Sequence, residues 1–190
     1  MRNRLIMTGL VGAAAAMLAV SSSMADEGNE GNGNGEHGKA SFQVSARLVG
    51  FQEVPSQSTV AKGKFTAVVD TVANTITWHL NYEALEGTVT QSHVHFGQPG
   101  VSGGISFFLC TNNANGPVGT QTCPAPPAEI SGVITADLVI GPAAVPPAIA
   151  GQGIEPGAFA EIAAAIKAGY AYANVHSSKW PAGEIRGQLN

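Results

Sequence analysis

The sequence predicts an all-β, antiparallel fold, a sandwich or barrel of about eight strands with one short helix. Three observations predict it. Apolar and polar residues alternate with period two in one segment after another, which puts the apolar side chains on one face of a strand. Clusters of Gly, Pro and Asn separate these segments at short intervals. A single stretch carries the 3.6-residue period of an amphipathic helix.

The strands follow in order. Residues 41–54 place Phe42, Val44, Ala46 and Leu48 on one face, and residues 63–70 carry Phe65, Ala67 and Val69. Residues 75–82 give the clearest case, with Ile76, Trp78, Leu80 and Tyr82 set against Thr75, Thr77, His79 and Asn81. Segments 89–96, 104–110, 130–140, 171–176 and 184–189 complete the set. The helix follows Pro156-Gly157, where Phe159, Ile162, Ala163 and Ile166 recur at i, i+3, i+4 and i+7. Lys167 suits its last turn and Gly169 its C′ stop. Such a helix is expected to cover one open end of the sheet structure. The Pro/Ala/Gly stretch 141–153 reads as the loop leading into it. No internal repeat is present.

The N-terminus reads as a targeting segment. Arg2 and Arg4 are followed by an Ala-rich apolar run, and Ser23-Met24-Ala25 is a small-x-small cleavage site, so residues 1–25 are expected to be a signal peptide. The run is short for a membrane span and no stop-transfer pattern follows. Residues 26–39 are a Gly/Asn-rich stretch without packable side chains, read as a disordered tether, and His37 within it as solvated. Residues 40–190 form one domain of ordinary size. The chain is expected to be exported, to the periplasm or beyond. Nine basic residues less Arg2 and Arg4 leave seven against thirteen acidic ones, a net charge of −6 for the mature chain. That balance, with no Lys/Arg cluster, argues against nucleic acid and anionic membrane surfaces as partners.

Cys110 and Cys123 are the only cysteines. In an exported chain they are expected to form a disulfide closing an Asn/Gly/Thr-rich loop.

Two histidine patches carry the chemistry. In His93-Val94-His95 the strand period puts both imidazoles on one face. In Asn174-Val175-His176 the alternation puts Tyr172, Asn174 and His176 opposite the small apolar face of Ala171, Ala173 and Val175. His93, His95 and His176 together are a candidate three-histidine site for copper or zinc, with binding expected to fade as pH falls through about 6.5. His79 sits on the polar face of its strand and reads as a surface residue. Ser92 has no flanking elbow glycines, so hydrolase chemistry is excluded. Glu184 and Arg186 share a face and are expected to form an ion pair. The sharper alternative makes Arg186 an anion guide beside the metal. Trp180, ahead of Pro181, reads as a packing plug.

At these residues the chain resembles a CHRD domain, the module named after chordin. The resemblance rests on Phe51-Gln52-Glu53-Val54-Pro55, the strand 75–85, His93-Val94-His95-Phe96-Gly97, and Tyr172-Ala173-Asn174-Val175-His176-Ser177 running into Pro181-Ala182-Gly183-Glu184-Ile185-Arg186-Gly187-Gln188-Leu189. It implies an immunoglobulin-like or Greek-key β-sandwich and an extracellular binding module with a protein partner. A weaker local similarity links His93-Val94-His95-Phe96-Gly97 to the copper strand of copper/zinc superoxide dismutases. It implies His176 as a later copper ligand and Arg186 as the anion-guiding arginine. The acidic residue that precedes the Phe in that family's motif is missing, no histidine lies between His95 and His176, and Cys110 and Cys123 do not match that family's disulfide. The sequence therefore reads as a binding module, with a copper-dependent redox enzyme and a structural or adhesive envelope protein as alternatives.

Overall fold

In the computed structural model the described residues are 40–140 and 152–190. The expected signal peptide, the tether with His37, and most of the loop before the helix lie outside them.

Eight strands form: β1 (Ser41–Val49), β2 (Lys62–Asp70), β3 (Thr75–Glu83), β4 (Val89–Phe96), β5 (Gly104–Thr111), β6 (Ala128–Thr135), β7 (Ala171–Ser177) and β8 (Ile185–Gln188). All pair antiparallel in one continuous sheet ordered β5-β4-β7-β8-β1-β2-β3-β6. The sheet is nearly closed, with β5 and β6 as its two edges. Across that seam Gln121 Nε2 donates to Leu109 O and Ser131 O, at 3.3 and 3.1 Å. Cys110, on β5, is bonded to Cys123, which precedes β6.

The period-two pattern places the core as expected. Phe65, Leu80, Phe107, Val94, Ala173, Val175 and Ile185 are wholly buried on the inner face. The long first strand expected over 41–54 ends at Val49, where a 3-10 turn, Gly50–Gln52, takes over. Gly50 allows this turn because Gln57 and Thr59 crowd where a Cβ would sit. The segment expected over 130–140 likewise begins at Ala128 and gives way to a 3-10 turn at Ala136–Leu138.

The helix α1 (Phe159–Lys167) buries Phe159, Ile162, Ala163 and Ile166, which join the core cluster. Its end is a Schellman motif: Gly169 N–H donates to Ile166 O at 3.0 Å and Tyr170 N–H to Ala165 O at 2.9 Å. Gly169 has φ +77°, the left-handed geometry that made glycine the expected stop. No described helix is long and apolar enough to cross a membrane.

Candidate metal centre

The three predicted histidines converge. β4 and β7 are neighbours, with His93 opposite Asn174 and His95 opposite Tyr172. Val94, Ala173 and Val175 face the core, so the intervening residues project from the sheet's other face. Two irregularities in the β4–β5 register flank His93 and His95, where Leu109 and Ser106 of β5 have no opposite residue. The metal-ligating atoms of His93, His95 and His176 all lie within 4.8 Å of one another. A shared ion at the usual 2.0–2.1 Å needs nitrogens about 3.3–3.6 Å apart, so nitrogens at the full 4.8 Å would have to close by about 1.2–1.5 Å to hold one.

That outer face would be wet in an ordinary sheet. Here loop backbones roof it. His176 Nδ1–H donates to Pro181 O at 2.9 Å, and His95 Nδ1–H to Gly103 O at 3.0 Å. These bonds fix the tautomers and leave Nε2 of both rings as the lone-pair atom. Nε2 of His176 has no partner, and neither does either nitrogen of His93. Nε2 of His95 lies 3.1 Å from the Asn174 amide oxygen. A neutral ring already donating from Nδ1 cannot donate there, so the Asn174 amide is read with its NH2 toward His95. The exposures are 0, 7 and 6 % for His93, His95 and His176.

Burial sets the electrostatics. It holds His93 well below the ordinary imidazole range, with His176 and His95 adding to the effect. It holds His95 at about 3, reinforced by His176 and opposed by the Gly103 and Asn174 contacts. It holds His176 at about 4, opposed by the bond to Pro181. All three rings are therefore neutral at ordinary pH, with lone pairs free of protons. The pH at which protons compete with a ligand moves below the 6.5 expected from an exposed imidazole.

Aromatic rings wall the cluster. Phe108 meets His93 edge-on at 4.4 Å, and Tyr172 stacks on His95 at 4.7 Å with planes 3° apart. Arg186 also packs on Tyr172, its guanidinium carbon 3.4 Å from the ring centre. Arg186 donates to Gln98 O at 3.2 Å and is 2 % exposed. The expected pair with Glu184 does not form. Glu184 Oε1 instead accepts from Thr59 Oγ1 at 2.9 Å and Glu86 N–H at 2.7 Å. Each side chain is taken up elsewhere, Glu184 by Thr59 and Glu86 and Arg186 by Tyr172 and Gln98.

Sequence reasoning missed Glu53. It is 7 % exposed, with Oε1 unpartnered, and lines a cavity of about 410 Å³ with Arg186 and Gln188. Burial raises it to about 7, against the pull of Arg186 and of the Val54 backbone. The available signal was one acidic residue amid Phe51, Val54 and Pro55. His79 lies apart from the cluster, paired at 2.9 Å with Glu129. Trp180 is half-buried, its indole N–H donating to Glu86 at 3.4 Å.

The CHRD domain model matches residues 44–189, most of the chain, from β1 to the end of β8. The chain belongs to the CHRD domain family. The match spans all three histidines, Glu53 and Arg186. No curated protein and no solved structure matches the chain. The family is one of binding modules, and this chain gathers buried polar residues under the loops of one continuous sheet.

Proposed function

We propose that this CHRD domain is an exported metal-binding module, with His93, His95 and His176 as the ligands and copper or zinc as the ion. One observation carries the reading. Three neutral, buried imidazoles meet from two strands, and those of His93 and His176 aim lone pairs at each other's neighbourhood with no hydrogen-bond partner. An unpaired buried polar group costs about 1–3 kcal/mol, and several together are poor design for stability alone. A bound ion satisfies His176 Nε2 and one nitrogen of His93 at once. The divalent affinity order favours copper over zinc. The Nδ1 bonds to Pro181 and Gly103 supply the outer-shell contacts that orient metal-bound histidines.

The test is elemental analysis of untagged protein from the exported fraction, followed by titration with Cu(II) and Zn(II). One ion per chain is expected, lost in His93→Ala, His95→Ala or His176→Ala and kept in His79→Ala. Triple-variant protein that binds as the wild type does removes the reading. Superoxide turnover by copper-loaded protein decides the redox alternative: a rate no higher than that of free copper leaves a binding module. Export is tested by intact mass. The mature chain should begin at Asp26, and an exported chain still carrying residues 1–25 overturns the leader assignment.

A further inference from the structure

The charge and shape of the cluster say more than the presence of three ligands. Among the described residues the cluster holds histidines alone, with no carboxylate or thiolate ligand. One fixed positive charge lies nearby: Arg186 packs on Tyr172, the ring that stacks on His95. The site is also buried, His93 being wholly enclosed and packed against Phe108. The cost of moving an ion from water into such a medium rises with the square of its charge. A dication therefore meets about four times the penalty of a monocation, with no anionic ligand to offset it.

Coordination number points the same way. Zn(II) on three histidines takes a water or another group as its fourth ligand, and Cu(II) takes four or more in a tetragonal array, so both need a donor beyond the three rings. Only three histidine nitrogens converge here. The next polar side chain is the neutral amide of Asn174, held against His95. Three neutral nitrogen donors suit a filled-shell monocation in trigonal geometry.

We infer that the site holds copper as the univalent ion, Cu(I), in preference to Cu(II) and Zn(II). This rests on the three-histidine reading above and names the ionic species that the site selects.

The experiment uses the mature chain. Cu(I) is supplied anaerobically as its acetonitrile salt and competed with bicinchoninate. Cu(II) and Zn(II) affinities are measured by chelator competition at the same pH. Cu(I) should bind more tightly than Cu(II) by about ten-fold or more, and than Zn(II) by a wider margin. Either divalent ion binding as tightly as Cu(I) overturns the inference while leaving the metal site standing. Asn174→Asp then tests the cause, because it puts a carboxylate beside His95 Nε2. The ratio of Zn(II) to Cu(I) affinity should rise by about ten-fold or more. An unchanged ratio in folded Asn174→Asp protein overturns the charge argument. Failure of every ion to bind the wild-type chain removes the metal reading, and the inference with it.

Discussion

Acid should unfold the metal-free protein by a countable number of protons. In the unfolded chain His93, His95 and His176 titrate near 6.5, while in the folded protein burial holds all three lower, His95 at about 3 and His176 at about 4. A depressed histidine contributes stability that is complete above its unfolded value and lost as pH falls below it. Each ring thus makes unfolding take up a proton between about pH 6 and 5. Glu53 works the other way. Its folded value of about 7 lies above the unfolded 4.5, so it releases a proton on unfolding in the same window. Three protons taken up and one released leave about two, a slope of about 2.7 kcal/mol of lost stability per pH unit. That is a large share of the 5–15 kcal/mol typical of a domain, so a modest fall in pH should produce a measurable change. Urea unfolding midpoints at pH 7, 6 and 5, with metal removed by a chelator, read the slope directly. His93→Gln/His176→Gln protein should show a slope smaller by about two protons. A flat profile, or stability that rises on acidification from pH 6.5 to 5, refutes the reasoning.

Three further predictions follow from particular contacts. Cys110→Ser/Cys123→Ser protein should lose about 3 kcal/mol, the loop-entropy value for the 13-residue separation, read from urea midpoints; a loss below about 1 kcal/mol would mean the loop is ordered without the bond. Gly183→Ala should cost about 2–4 kcal/mol, because Gly183 has φ +132° and an added Cβ would sit 2.7 Å from the Glu53 carboxyl carbon; thermal unfolding checks it, and Glu53→Ala should recover part of the loss. Tyr82→Phe should cost about 1 kcal/mol, since the hydroxyl of this buried side chain donates to Pro124 O at 2.5 Å; an unchanged midpoint would show that bond to be replaced by water.

Much of the architecture is local in origin, and local features are legible in a sequence. The alternation in Thr75–Glu83 needs only the two-residue pleat to put Ile76, Trp78, Leu80 and Tyr82 in the core. Gly169 ends the helix because φ there must be positive. His93 and His95 share a face for the same pleat reason, and even the irregular β4–β5 register leaves their rings 5.4 Å apart. The disulfide follows from there being two cysteines and no other.

What lies next to what is a different kind of information. Periodicity states which face a side chain takes but not which strand stands beside it. The placement of β7 against β4, about 80 residues away in the chain, is what brings His176 to within 5.0 Å of His93, ring centre to ring centre. The roof over the outer face was equally unreadable, because it is made by backbone carbonyls of Gly103, Pro181 and Gln98 in loops with no periodic signal. Without that roof the histidines would be wet and ordinary. Under it they are neutral and buried, and His93 and His176 keep nitrogens without partners. Arg186 and Glu53 were decided at the same level: the sequence set Arg186 beside Glu184, but the fold gave it Tyr172 as a platform and Glu53 as a buried neighbour. The sequence by itself determined strands, helix, disulfide and the facing of each histidine. Tertiary structure alone decided their burial and convergence, because desolvation and long-range strand pairing belong to the whole sheet and to no single segment of it.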